Sequence, residues 1–509
     1  MPFDPSAGAR AAGPDDEELV ANTRPIGWRS PEPLPLYHLI VIGGGPAGLA
    51  AARAAATLGA DVALIERHEL GGNSLTNGCI PSKSLIRTAR LLADMGNSVN
   101  FGVAPRGETP FDFAAAMLRI RRVTARISRG DSAMNLARAG IHLFFGRARF
   151  TGPDAVDVDG MPLRFQKALI ATGSRSMLPD IPGLPEAGFL TNETVFDLQA
   201  LPKSLMVIGG GPLGCELAQV FARFGSRTLI SHSEPLFLPL EERDAAQMVS
   251  DALARDGVEI HLNSTVTGVY LEGGGKRVDL VNDGNTASTC VDTILTGIGR
   301  VPAVQGLELE AAGVAYDVEG GVHVDDFLRT TNRRIYAAGD VCLENKFTNT
   351  AEASARIVVR NALLLGHERM SALTVPWCTY TDPEVAHVGL YVRQARERKI
   401  PIKTFTIPMH DVDRAIADGE EEGFVKIHVR EGSDTILGAT IVARHAGEMI
   451  NSISLAMATG VGLRTLASVV YAYPTQGAAI RQAADAYART QLTPRRLERG
   501  HRWWQRWQR

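Results

Sequence analysis

One eight-residue segment occurs twice in this chain. Val41-Ile42-Gly43-Gly44-Gly45-Pro46-Ala47-Gly48 returns as Val207-Ile208-Gly209-Gly210-Gly211-Pro212-Leu213-Gly214. The likeness runs past the glycines. Gly59 and Gly225 stand at the same offset, where the helix after each turn should end, and a second apolar run follows each, Val62–Ile65 and Thr228–Ile230. An unbroken apolar strand, Tyr37–Ile42, leads into the first copy. Each copy therefore reads as strand, glycine turn, helix, strand. The first glycine of such a turn permits the tight bend, the second lets backbone approach a pyrophosphate, and the third lets helix and strand pack closely. The helix start then offers free N–H groups and a positive dipole end to phosphate. A single glycine pattern says little. Two in this context predict an α/β chain with two Rossmann-like dinucleotide-binding domains, using Gly43, Gly45 and Gly48 in one and Gly209, Gly211 and Gly214 in the other.

The strand ends suggest which dinucleotide each copy takes. Glu66 closes the second strand of the first copy, about twenty residues past Gly43, where a carboxylate accepts hydrogen bonds from a ribose diol and repels a 2′-phosphate. This copy is assigned to the adenosine half of FAD. At the matching place the second copy has His232, followed by Ser233. No carboxylate guards that ribose, and His232 with Arg227 can help bind a 2′-phosphate, so the expectation leans to NADPH, with NADH as the alternative.

The rest of the chain narrows the class. At 509 residues it should hold roughly three domains. From about residue 370 the glycine turns stop and alternating strands appear, such as 423–427 and 436–442, followed by two helical stretches; a third, α+β domain is expected there. A net charge of -3 argues against a nucleic-acid partner by bulk charge. No apolar run approaches the roughly 18 residues of a membrane span. Met1-Pro2-Phe3-Asp4 opens no basic region and apolar core, so no secretory signal is read and a cytoplasmic location is expected. Five scattered cysteines without a CxxC pair predict neither a disulfide framework nor a metal site.

Several further segments resemble the pyridine nucleotide–disulfide oxidoreductase family, over about residues 37–490. Leu70-Gly71-Gly72-Asn73-Ser74-Leu75-Thr76-Asn77-Gly78-Cys79-Ile80-Pro81-Ser82-Lys83 is similar to its redox-active segment. Ala171-Thr172-Gly173 resembles its strand between domains, and Gly297-Ile298-Gly299-Arg300-Val301-Pro302 the end of its nicotinamide domain. Tyr336-Ala337-Ala338-Gly339-Asp340 resembles its second FAD motif, and Tyr473-Pro474-Thr475 its C-terminal interface motif. Within the family the mercuric-reductase-like branch is the nearest likeness. The resemblance implies FAD and nicotinamide cofactors, cofactor contacts at Gly72, Thr172, Gly173, Gly299, Gly339 and Asp340, and a homodimer in which Tyr473 approaches the partner's flavin. It also implies a domain order: a disordered tail over 1–36 with one short helix at 15–22, FAD-binding parts at 37–190 and 319–366, a nicotinamide domain at 191–318, a dimerisation domain at 367–490, and a basic tail at 491–509.

The departures from the family pattern bear most on function. The family's segment carries two cysteines that form a disulfide; here the first position is Ser74 and the second Cys79. A hydroxyl cannot exchange disulfides. Where disulfide reductases carry His and Glu in the interface motif, this chain has Tyr473 and Ala478, and a tyrosine with a pKa of about 10 is a poor proton shuttle. No cysteine follows Cys378 and none precedes Cys79, so the thiolate pairs that soft Hg(II) needs are missing. The flavin half looks intact. Cys79 should open a helix, where the dipole favours its thiolate. Lys83 matches the family's lysine near the flavin, and Glu216 its partner. The expected activity is transfer of hydride from NAD(P)H to FAD, then of electrons to a quinone or other small electrophile without a disulfide. Two alternatives stay open: a mercuric or dihydrolipoyl-type reductase, and a single-cysteine peroxide or persulfide reductase working through Cys79. Trp503, Trp504 and Trp507 with six arginines in 495–509 suit weak contact with an anionic membrane surface, or packing on the tail's own subunit.

Overall fold

The computed structural model describes residues 13–104 and 111–492, so the tryptophans and arginines of the C-terminal tail lie outside the described residues. The described residues form two compact units, one from within 1–235 and 256–373, the other from within 236–255 and 374–492. The first unit opens with a helix, α1 (Pro14–Thr23), matching the short helix expected at 15–22, while the rest of this stretch was expected to be disordered. Asp15, Asp16 and Glu17 face its positive end, and Leu19 is buried. Farther on, the Trp28 indole donates to the Leu143 carbonyl at 3.1 Å and packs edge-on against Phe145. The expectation of disorder fails for the rest of 13–36 because few widely spaced apolar anchors leave no periodic pattern to read.

The first repeat builds the larger sheet. β1 (Tyr37–Ile42) is buried at every position but His38, as a parallel strand covered on both faces requires. It pairs in parallel with β2 (Val62–Glu66) on one side and with Met161–Ile170 on the other. The sheet order runs from Ile141–Phe145 through β2, β1 and Met161–Ile170 to the hairpin strands Ala155–Val158 and Ala148–Gly152, with Ile335–Ala337 also parallel to Met161–Ile170. The crossover between β1 and β2 is α2 (Pro46–Thr57), which has Pro46 in its first turn and buries Ala47, Ala51, Ala52 and Ala55. Beyond β2 come a short helix, α3 (Gly72–Thr76), and two longer ones, α4 (Cys79–Gly96) and α5 (Phe113–Ser128).

The second repeat has the same construction. β3 (Ser204–Ile208) pairs in parallel with β4 (Arg227–Ser231) and with Thr293–Thr296, and α6 (Pro212–Arg223) makes the crossover. Val258–His261 completes a four-stranded sheet. The last long helix of this unit is α7 (Thr348–Leu363).

The second unit centres on a five-stranded antiparallel sheet, ordered Pro376–Thr379, Glu384–Gly389, Ile436–Ala443, Phe424–Arg430, Ile402–Pro408. Helices Ala446–Ala458 and Ala478–Thr490 share its apolar core. Residues 236–255 belong to this unit, although the sequence boundaries put them inside the nicotinamide domain. Polar contacts explain the placement. Trp377 Nε1 and the Tyr391 hydroxyl donate to Glu241 at 3.2 and 2.7 Å, and the Val392 amide donates to Glu242 at 2.9 Å. Burial pushes the Glu241 carboxyl up. Burial pushes Glu242 the same way, but His428, the Val392 amide and Lys426 together outweigh it and hold Glu242 at about 2. Among the described residues no helix is long and apolar enough to cross a membrane.

Candidate active site

The first glycine turn leaves no room for side chains. A Cβ on Gly43 would lie 2.3 Å from the Ala171 carbonyl oxygen, and one on Gly48 would lie 1.8 Å from that of Gly43. Gly45 caps α2, and a Cβ on Gly72 would sit 2.9 Å from the Gly45 Cα. Bare backbone thus surrounds the start of α2, as close approach of a pyrophosphate demands. Glu66 stands at the end of β2, only 8% exposed. One of its oxygens accepts from the Gly44 amide at 2.6 Å, the other from the His68 amide at 2.7 Å. Those two bonds fix the carboxylate beside the turn.

The second turn repeats this atom by atom. A Cβ on Gly209 would meet the Gly297 carbonyl oxygen at 2.6 Å, and one on Gly214 would meet that of Gly209 at 2.3 Å. Gly211 caps α6. The Gly210 amide donates to His232 Nδ1 at 3.3 Å, across the same 22-residue separation as Gly44 and Glu66. An imidazole has taken the carboxylate's place. Arg227 does not join it, contrary to expectation. It starts β4, about 13 Å along the strand from Ser231. Its guanidinium donates to the Thr289 hydroxyl and the Cys290 carbonyl.

A third cluster lies where α4 and α6 meet. Lys83 Nζ, one turn into α4, sits 2.8 Å from Glu216 Oε2 on α6; the carboxylate is 3% exposed and the lysine side chain 32%. Cys79 is the first residue of α4 and is exposed. Its Sγ lies 3.5 Å from the hydroxyl of Thr348, the first residue of α7, and that hydroxyl donates to Ser74 Oγ at 3.1 Å. Two helix starts therefore meet at one sulfur. All five cysteines are free thiols. Burial pushes Cys215 and Cys342 up, which makes both inert.

The second FAD motif carries its own network. Ser174 Oγ donates to Asp340 Oδ2 at 2.6 Å and accepts from Arg300 Nε at 2.9 Å, and the guanidinium lies 3.6 Å from the same carboxylate. The Gly339 amide donates to Ser354 Oγ at 3.1 Å, and Thr172 Oγ1 to the Ala303 carbonyl at 2.8 Å. Gly173 and Gly299 lie on the two chains leading into and out of a short antiparallel pairing of Ser174–Ser176 with Arg300–Pro302. Tyr473 belongs to the second unit, is 78% exposed, and donates to Asp413 Oδ2 at 3.0 Å, which raises its pKa above the ordinary value. Sequence reasoning missed Thr348, Ser174 and Ser354, which sit in no quoted motif; Arg300 was inside one but had no role. Among the described residues no group of three or more His, Cys, Asp or Glu could hold a metal ion.

Two Cβ-free dinucleotide turns, joined through a lysine–glutamate pair near a cysteine at the first position of a helix, define a nicotinamide-dependent flavoprotein oxidoreductase. The family model for pyridine nucleotide-disulphide oxidoreductase matches residues 37–356, and that for its dimerisation domain matches residues 375–484. The chain belongs to this family, whose members are FAD-dependent enzymes that use NAD(P)H. It is 33% identical over 449 residues to mercuric reductase of Bacillus cereus, covering 88% of this chain and 71% of that one. It is 32% identical over 459 residues to dihydrolipoyl dehydrogenase of Thermus scotoductus, covering 88% and 97%. The HOCl-induced flavoprotein disulfide reductase RclA from Escherichia coli has a similar structure, with a TM-score of 0.79 at 30% identity over 88% of this chain and 99% of that one.

Proposed function

We propose that this enzyme carries reducing equivalents from NAD(P)H through FAD to a quinone or similar small electrophile, with no exchangeable disulfide in the path. The observation that carries this route is a hydroxyl, Ser74 Oγ, hydrogen-bonded through Thr348 toward Cys79, at the place where the family's first cysteine belongs. The residues present fit the flavin. Bare backbone at Gly43, Gly45, Gly48 and Gly72 suits its pyrophosphate, Glu66 its ribose, and Asp340, held by Ser174, its ribityl chain. When bound, FAD supplies the two-electron chemistry between nicotinamide and acceptor. The protein supplies position and charge. Lys83 offsets negative charge growing near the ring, and buried Glu216 holds Lys83 in place. Thr348 and the first turn of α4 hold the Cys79 sulfur in position. That position also supports a second route, in which Cys79 is oxidised by a peroxide or persulfide and reduced again by the flavin.

One substitution separates the routes. With Cys79→Ser, NADPH-dependent quinone turnover is expected to stay within about threefold of the parent, since the flavin serves the acceptor directly. Loss of turnover assigns the work to the thiol. A parent enzyme that oxidises reduced lipoamide or reduces glutathione disulfide at around 10 s⁻¹ overturns the disulfide-free path.

NADPH is the proposed donor, because His232 replaces the carboxylate that would repel a 2′-phosphate. His232→Glu is expected to raise the KM for NADPH about tenfold, equivalent to about 1.4 kcal/mol, and to leave the KM for NADH unchanged or lower. Steady-state kinetics with both nucleotides checks this; equal changes for both would remove His232 from the ribose site. The dimerisation domain supports a homodimer, with Tyr473 in its exposed surface.

A further inference from the structure

We infer that residues 14–28, which precede the family-matched region, act as a strap that positions Cys79. The inference rests on Cys79 being the flavin-side thiol. Leu19 of α1 packs in one small apolar cluster with Leu75, Ala125 and Ile80. Leu75 immediately follows Ser74, and Ile80 immediately follows Cys79. The strap therefore grips the side chain next to each of the two redox positions. It also holds the backbone that leads to them. The Leu70 amide donates to the Thr23 carbonyl at 3.2 Å, and Arg24 donates to the Arg67 carbonyl at 2.9 Å.

The other side of the strap is fixed to elements outside the redox segment. Asn22 donates to Ser128 Oγ at the end of α5 at 2.9 Å, Glu18 pairs with Arg129, and Asp16 lies 3.7 Å from Arg121. Trp28 ties the strap to the edge of the sheet through Leu143 and Phe145. The held object needs such support. α3 has only five residues, far too few to be stable alone, and α4 starts at a glycine with no side-chain cap. A disulfide between positions 74 and 79 would staple these two pieces; with a hydroxyl at 74, packing from α1 holds them together alongside the Thr348 bridge. The position of Sγ against Thr348 and the two helix starts then depends on α1.

Leu19→Asn tests this in the full-length holoenzyme. The rate of Cys79 alkylation by iodoacetamide is followed at one fixed pH by mass spectrometry, with exposed Cys290, on the strand Asn285–Val291, as internal control. The Cys79 rate is expected to rise about fivefold as the segment loosens, and amides of residues 71–80 to exchange about tenfold faster, while Cys290 is unchanged. Leu19→Met should restore both. If Leu19→Asn does not fold, Leu19→Ala takes its place with the same expectations. Faster exchange in residues 14–23 with an unaltered Cys79 rate would overturn the inference, and so would equal loosening of β1 and β2, which marks general destabilisation. None of these readings uses nicotinamide or an acceptor, so failure of the quinone route leaves the test intact.

Discussion

Lys83→Met is expected to slow flavin reduction by NADPH about 100-fold while the protein stays yellow. The ammonium lies 2.8 Å from Glu216 and is anchored in α4, one turn from Cys79. Removing a fixed charge from a site where charge develops typically costs a factor of 10² to 10³. The substitution also strands the Glu216 carboxylate, 3% exposed, without its cation. Water reaches the lysine end of the pair, which tempers the stability loss to about 1–3 kcal/mol. Adding Glu216→Gln separates the two effects. The double variant should regain most of the melting temperature and none of the reduction rate. Stopped-flow absorbance of the flavin decides it, and a single Lys83→Met rate within twofold of the parent would remove the lysine from the hydride step.

Gly48→Ala should give colourless, poorly folding protein. Its Cβ would stand 1.8 Å from the Gly43 carbonyl oxygen, and that oxygen cannot retreat, because the Gly43 amide is tied to Ile65 and Ile42 to Ala171 at 2.8 Å each. Both sides of the clash are backbone, so the cost is put at roughly 4 kcal/mol or more. Gly214→Ala makes the same test in the second repeat, at 2.3 Å from the Gly209 oxygen; it should leave the protein yellow but nearly irreducible by NADPH at ordinary concentrations. Gly59→Ala is the control. It ends α2 with φ of 78° and open space around it, and should cost about 1 kcal/mol with full flavin content. Flavin absorbance per chain and thermal melts measure all three. A yellow Gly48→Ala protein of parental stability would mean that the turn tolerates a methyl group, contrary to the close approach seen at Gly43.

Those glycines were readable because local backbone demands only one residue type there. The helix stops at Gly59 and Gly225, the strand end at Glu66 and the helix start at Cys79 were readable for the same reason: each is settled by neighbours a few residues away. What stayed hidden is decided at long range. Thr348 meets Ser74 across 274 positions, and nothing in a Thr-Asn-Thr stretch announces that. Arg227 looked like a phosphate ligand because it lies five residues before His232, but sequence nearness does not say which end of a strand faces the ligand. The short helix at 15–22 was legible, but its docking was not, because that rests on Leu19, whose partners lie in α3, α4 and α5. That residues 236–255 gather with the second unit was not legible, because Glu241 and Glu242 find their partners past residue 376.

The amides of Gly44 and Gly210 address two different acceptors from equivalent stations, one a carboxylate and one an imidazole. The molecule thus carries its own control experiment. Whatever the halves share is demanded by the architecture, and whatever differs between them is free to answer to the guest. Exchanging just those two acceptors, Glu66→His with His232→Glu, would ask whether guest preference can be traded between the halves of a single polypeptide without disturbing the scaffold they hold in common.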